Sequence, residues 1–380
     1  MKSTVKVAQT LDMESACVGA YVENKFYFEN LENALSDVDF LWKSSPGLGE
    51  DKKYRFLSLY LKNNSLSDFA PDPARYLETE RSIHSHRAAA ITAKLDLSAL
   101  CFFDSLPDHI LNRWFSIRES AMRKVASAIP PPPDYDILHK IHVLVDSISR
   151  NPLNVNGEKR KVKYDFLSSA TGRLTTVKNS YPILSLSKSD RSSVTPWNDM
   201  FLELDLNGAE IRTLLGLSGT DQPAYDIHEF NRITAAKDLT KRSEVKARFF
   251  AWLYNPKARD RNLEKFYDKT IYRNHYKNGT ITTPFGRELR VDDRKALNYL
   301  TQSTTSDIVL ENAYKIMKIL NKRKSFVSFT MHDSVVLDFC KEDHDLVQEI
   351  KNTFENNMFG NFLSSIRIGK NFGNLKELII

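Results

Sequence analysis

The stretch FVSFTMHDSVVLDF (Phe326–Phe339) constrains the fold more than any other in the chain. Two runs of β-branched and aromatic residues flank a polar His-Asp-Ser step, which predicts a β-hairpin. A second apolar run, FLELD, predicts a short strand over Phe201–Leu206 that continues as a helix after the small pair Asn207–Gly208. Each run is interrupted by an acid: Asp205 at the end of FLELD, and Asp333 at the tip of the hairpin. Brought together on one sheet, two such carboxylates are what hard divalent cations require, because these ions take oxygen ligands. Taken singly, Asp333 also reads as a turn residue and Asp205 as a helix cap.

The surrounding pattern is largely helical. KRSEVKARFFAWLY (Lys241–Tyr254) predicts a helix ended by Asn-Pro, and TITTPFGRELRV (Thr280–Val291) a hairpin turning near Pro284–Gly286. Asp292–Leu320 predicts a long helix with an interruption near Ser303. Upstream, Asp108–Ser127 and Tyr135–Arg150 carry apolar residues at spacings of three and four, separated by the stiff break Pro130–Pro133. NGEKRKVK then reads as a basic connector. The first hundred residues read as a small α/β or mixed module, with strand-like content in VGAYVENKFYF (Val18–Phe28) and a helix over Ser82–Lys94. At 380 residues, two or three lobes are expected.

No run approaches the roughly 18 apolar residues of a membrane span. The N-terminal MKSTVKVAQTLDMES has no apolar signal core, and Cys17, Cys101 and Cys340 are too few and scattered for a disulfide framework or a zinc cluster. A reducing, cytoplasmic setting with no membrane partner is the expectation. The net charge of +6 is uneven: residues 1–100 hold 12 basic and 14 acidic side chains, and residues 101–380 hold 42 and 34. That basic C-terminal portion is compatible with a polyanionic partner.

On the Lys241–Tyr254 helix, Arg242, Lys246, Phe250 and Tyr254 recur every fourth residue and share one side. This face offers two cations, a ring and a phenol: cations bind phosphate oxygens, and rings pack on a sugar or base. The same spacing also fits a solvated basic stripe beside a core of Phe249, Trp252 and Leu253.

Taken together, these segments resemble the polymerase domain of family A DNA polymerases, the bacterial DNA polymerase I and phage replicative type. DLNGAEIR (Asp205–Arg212) is similar to that family's D-Y-S-Q-I-E-L-R motif. Arg242, Lys246, Phe250 and Tyr254 are similar to its R-x3-K-x3-F-x3-Y fingers helix, and MHDSVV around His332 and Asp333 to its V-H-D-E motif. TGRLTT (Thr171–Thr176), DIHEF (Asp226–Phe230) and RKALNYLTQSTTSDI (Arg294–Ile308) resemble three further family segments in the same order. The resemblance covers residues 165–340 and not the first 100.

The resemblance implies an α+β right-hand polymerase fold: an antiparallel palm sheet, helical fingers and a reduced thumb, beside a small N-terminal α/β module. The implied boundaries are 1–104 for that module, 105–164 for the thumb, 165–215 and 291–380 for the palm, and 216–290 for the fingers. It implies template-directed addition of dNTPs to a primer 3′-OH with two Mg²⁺ ions held by Asp205, Asp333 and the backbone carbonyl of Leu206. One ion would activate the primer hydroxyl, the other neutralise pyrophosphate. Arg242, Lys246 and His228 would contact the triphosphate, with Lys246 a proton donor to pyrophosphate. Phe250 lies on the same nucleotide-binding face, Tyr254 would stack at the templating position, and Glu210 resembles the gate that excludes a 2′-hydroxyl. Arg173, Arg294, Asn298, Gln302 and His332 resemble primer-template contacts.

The chain departs from the family pattern in places. Ser334 stands where many relatives have Glu, which removes a carboxylate, and Asn255 replaces a usual Gly. His-Asp-Ser is also carried by phage-type single-subunit RNA polymerases, an alternative that would use rNTPs, although these lack an acid at the Glu210 position and an aromatic at the Phe250 position. A nucleic-acid-binding scaffold subunit of a replication or defence complex is a further alternative. In the N-terminal module Asp12 and Glu14 stand where a proofreading nuclease begins, without convincing later acids. The expectation is a nuclease-inactive remnant or a cap, and an accessory processivity factor or companion replication subunit as partner.

Overall fold

The computed structural model describes residues 3–7, 10–13, 19–42, 54–62, 64–255 and 257–378. Glu14, Cys17 and Val18 lie outside the described residues. The chain divides into two units, Met1–His139 and Lys140–Ile380. Among the described residues no helix is long and apolar enough to cross a membrane.

The N-terminal unit is built on a mixed five-stranded sheet. In chain order its strands are β1 (Ser3–Val7), β2 (Gly19–Val22), β3 (Lys25–Tyr27), β4 (Phe40–Leu41) and β5 (Arg55–Phe56); their order across the sheet is β3-β2-β1-β4-β5. β1 pairs antiparallel with β2 and parallel with β4. Two long helices accompany it, α1 (Pro73–Thr92) and α2 (Asp108–Ala128). α1 starts well before the expected Ser82, because Asp72 caps it by accepting from the Arg75 N–H at 3.0 Å and Pro73 fits its first turn. The apolar stripe of α2 (Ile110, Leu111, Trp114, Phe115, Met122, Val125) is buried in a core with Val5, Tyr21 and Phe40. Helix α3 (Tyr135–Arg150) follows the four prolines and runs through the division between the units.

The C-terminal unit is organised by an antiparallel sheet. Its strands are β6 (Met200–Leu206), β9 (Phe326–Met331), β10 (Ser334–Phe339), β11 (Ser364–Gly369) and β12 (Lys376–Glu377), ordered β9-β10-β6-β11-β12. β6 is central, and all six residues of β10 are buried. Between the first and second strands of this sheet the chain forms α4 (Ala209–Leu217), α5 (Ile227–Thr234), α6 (Arg242–Tyr254), the ribbon β7 (Thr280–Thr282) with β8 (Glu288–Arg290), and α7 (Asp293–Ile319). Helix α8 (Val347–Glu355) packs with α7.

Two expectations change. α7 is continuous through Ser303: Thr301, Ser303, Thr304 and Thr305 are buried, and the Thr305 hydroxyl donates back to the Thr301 carbonyl at 2.7 Å, so small hydroxyls pack inside an unbroken helix. The basic stretch NGEKRKVK is not a plain connector. Asn156 and Gly157 take φ of 52° and 87° and turn a hairpin between Leu153–Val155 and Glu158–Arg160, the backbone that an Asn-Gly pair favours.

Candidate active site

The register of the central sheet brings the two acids together. Asp205 on β6 stands opposite Ser334 on β10, and the Leu206 N–H donates to the Asp333 carbonyl at 3.2 Å. The hairpin turns through His332 and Asp333. His332 is exposed with φ of 53°, a left-handed conformation uncommon for a non-glycine residue. Burial pushes the Asp205 carboxyl up, against the pull of Arg367 and Lys246. The Asp333 carboxyl is pushed up to about 6, first by burial and then by Glu210 and Asp205, with Arg173 and Lys246 opposing.

Gly208 sets the approach of the next wall. It adopts φ of 61° between β6 and α4, and a Cβ there would meet Ile227 Cγ2 at 2.5 Å. Its lack of a side chain lets α5 pack against the strand end and delivers His228 to the cleft. His228 is buried, and among the described residues its Nδ1 has no hydrogen-bond partner. Burial first, then Arg242, lowers its pKa to about 4, so the imidazole is neutral at physiological pH.

The cleft so formed has a volume of about 550 Å³. Asp205, Leu206, Glu210, His228, Arg242, Lys246, Phe250 and Asp333 all line it. On α6, Lys246 Nζ lies 5.9 Å from the Phe250 ring centroid, and the rings of Phe250 and Tyr254 stack at 5.5 Å. Tyr254 joins the site through its hydroxyl, which donates to Glu210 Oε2 at 2.8 Å. Arg173 pairs with Glu210 Oε1 at 2.5 Å. Burial and Glu210 raise the Tyr254 pKa, while the side chain of Gln302 hydrogen-bonds to it and lowers the pKa. Arg294 and Asn298 do not line this cleft; they line a second one of about 420 Å³ that Tyr254 shares.

Several residues at the site escaped the sequence reading. Asp226 is a hub: it accepts from the His228 and Glu229 N–H groups at 2.9 Å, from Asn207 Nδ2 at 2.6 Å and from Arg242 at 3.1 Å. Burial pushes its carboxyl up, but the bonds from Asn207, Arg242 and the Glu229 N–H prevail and hold it at about 2. Its position just before an apolar helix start is a cap signal that sequence alone offers. Ser364, Ser365 and Glu377 also line the cleft from the C-terminal strands, with no motif to announce them. Behind Asp205, buried Glu203 pairs with Arg367 across β11 at 2.6 Å. Lys269 donates to the carbonyls of Trp252 at 2.7 Å, Asn255 at 2.8 Å and Ala258 at 3.3 Å, satisfying the end of α6 where Asn255 replaces the usual Gly. Arg287 forms a buried pair with Asp307 at 2.9 Å; a Cβ on Gly172, at φ of 71°, would come within 3.0 Å of that guanidinium.

The donor set suits a hard divalent cation. Asp205 and Asp333 offer carboxylate oxygens, and among the described residues neither receives a hydrogen bond that would hold it charged. No group of three or more His, Cys, Asp or Glu capable of holding an ion occurs among the described residues. Mg²⁺ is normally held by one or two carboxylates with water and substrate phosphates, so the two aspartates suffice.

No protein-family model matches the sequence, and no curated protein matches it. Among solved structures, the chain is similar to the POL domain of Pol1 from M. smegmatis in complex with DNA primer-template and dNTP, with 15% identity and a TM-score of 0.48. The match covers 70% of this chain and 56% of that one, so the chain spans little more than half the length of that structure.

Proposed function

We propose that the C-terminal unit is a template-directed DNA polymerase that adds dNTPs to a primer 3′-OH. The observation that carries the reading is that Asp205, at the end of β6, and Asp333, in the turn just before the adjacent strand β10, line one cleft together with Arg242, Lys246 and Phe250 of α6. In this reading the sheet is the palm, and α5, α6 and the β7–β8 ribbon belong to the fingers.

Asp205, Asp333 and the Leu206 carbonyl would hold the divalent ions, which when bound lower the pKa of the attacking hydroxyl and neutralise charge on the phosphates. The chain's own residues do the rest. Lys246 and Arg242 attract the triphosphate, and Arg242 exchanges its Asp226 partner for phosphate oxygens. His228, held neutral, donates a hydrogen bond without adding a third positive charge. Lys246, the one ammonium on this face of α6, would be the proton donor to the leaving pyrophosphate. Phe250 packs on the sugar. Glu210 is clamped by Arg173 and Tyr254; in this reading its fixed carboxylate would leave a 2′-hydroxyl without room. That clamp favours deoxynucleotides over the ribonucleotide alternative.

In this reading the N-terminal unit has no active proofreading, because its sequence offers Asp12 and Glu14 without convincing later acids. The test is primer extension in Mg²⁺ with dNTPs and rNTPs side by side. Wild type should extend with dNTPs, and Asp205→Ala and Asp333→Ala should fail. Equal, negligible extension by all three proteins would refute the enzyme and favour a scaffold.

A further inference from the structure

The N-terminal unit contains a polar pocket of its own, of about 590 Å³, that the polymerase reading does not use. Its wall is one face of α2: His109, Asn112, Arg113 and Ser116 follow at spacings of three, one and three. This is the side of the helix opposite the buried stripe of Leu111, Trp114, Phe115 and Met122. Arg75, from the first turn of α1, and Asn24, from the β2–β3 turn, complete the polar lining.

The lining is cationic without a counterion. Among the described residues no carboxylate lines the pocket, and none of Arg75, His109 or Arg113 is in an ion pair. Arg113 is half-buried, so its charge is only partly relieved by water. Two acids of these helices are engaged elsewhere. Glu119 accepts from the Glu23 N–H at 2.9 Å and from Arg123 at 3.2 Å, and Asp72 caps α1. The remaining polar groups are the Asn112 amide, the Ser116 hydroxyl and the Asn24 amide; the Tyr21 hydroxyl donates to Asn24 Oδ1 at 3.1 Å and is hydrogen-bonded to Ser116, which leaves the Asn112 and Asn24 NH₂ groups as neutral donors. Two guanidiniums with neutral donors between them are the recognition chemistry of phosphate oxygens.

We infer that this face of α2 binds the phosphate backbone of a single nucleic-acid strand. A strand is favoured over an isolated phosphate because the polar face continues beyond the pocket to exposed Ser120 and Lys124. From Arg113 to Lys124 it extends about 16 Å along the helix, the reach of several consecutive phosphates and more than one free phosphate needs. The Tyr21 ring is buried against Phe26 and Phe115 and offers no stacking surface, so the contact is to backbone and not to bases. The inference does not rest on polymerase activity, and primer extension is not its readout.

The experiment uses the full chain and a thymidine decamer. Diethylpyrocarbonate modification of His109 is followed by peptide mass spectrometry with and without the oligonucleotide. The decamer should slow His109 modification severalfold in wild type and leave it unchanged in the Arg75→Ala/Arg113→Ala variant. The slope of log affinity against log salt should fall in that variant by about 1.4, the loss of two phosphate contacts on a single strand. A His109 rate indifferent to saturating oligonucleotide in the wild-type protein overturns the inference whatever the variant does. In a parallel arm with inorganic tripolyphosphate, protection by tripolyphosphate and not by the decamer would reassign the pocket to free polyphosphate and overturn the strand.

Discussion

In the metal-free protein, Asp333→Asn should stabilise the C-terminal unit, and only above acid pH. The Asp333 carboxyl is raised from its ordinary 3.8 to about 6 by burial, then by Glu210 and Asp205. A raised carboxyl pKa means that the folded state binds this proton more tightly than the unfolded chain. Its favourable contribution is complete below pH 4 and disappears as the pH rises through about 6. A gap of about two pKa units corresponds to about 3 kcal/mol at pH 8, as an upper bound because the side chain keeps some contact with the cleft. Asparagine has nearly the same shape and no charge to bury. For a unit of this size the variant should melt about 6–12 °C higher at pH 8 and at the same temperature as wild type at pH 4. Differential scanning calorimetry of the full chain in EDTA, from pH 4 to 8, reads this directly. Millimolar Mg²⁺ should then raise the wild-type transition and leave the variant's where it was, because only wild type has the paired carboxylates. A stability difference that is absent at pH 8, or that persists unchanged at pH 4, would refute the account of how this acid is held.

Three other outcomes follow from particular contacts. Glu210→Ala removes the carboxylate clamped by Arg173 and Tyr254, and the preference for dNTPs over rNTPs in single-nucleotide incorporation should fall by about 10- to 200-fold. His228 has its pKa lowered from 6.5 to about 4, so its contribution is intact above pH 6.5 and declines as the pH falls toward 4. His228→Gln should abolish that decline, worth up to about 3 kcal/mol between pH 7 and 4 in urea titrations. Arg287→Met strands the Asp307 charge in the interior and should destabilise the C-terminal unit by about 3–5 kcal/mol in the same assay, with the Arg287→Met/Asp307→Leu pair recovering most of the loss.

The strand bearing Asp205 and the hairpin bearing Asp333 at its turn were legible because apolar runs bounded by polar steps have few alternatives, and the α6 face because a four-residue spacing fixes a side of a helix. The continuity of α7 was not: its hydroxyl-rich middle reads as a break until burial and the Thr305–Thr301 bond are seen. The Asn156–Gly157 turn was legible and was outweighed by the basic residues around it. What sequence could not supply is partnership across distance. Asp226 and Arg242 are 16 residues apart, Arg173 and Glu210 are 37 apart, and Glu377 reaches the cleft only through strand order. These contacts are properties of the tertiary arrangement, and no local pattern encodes them.

The tight corner at His332 makes the acid beside it an all-or-none feature. β9 and β10 pair on both sides of a two-residue tip, with one irregularity between Val327 and Phe329, and a length change at the tip that is passed on as a one-residue slip of the pairing turns every following side chain of β10 to the opposite face of the sheet. Such a slip has no graded series of intermediates, whereas the 153–160 ribbon, whose residues beyond Leu153 are only partly covered or exposed, can lengthen without moving a buried group.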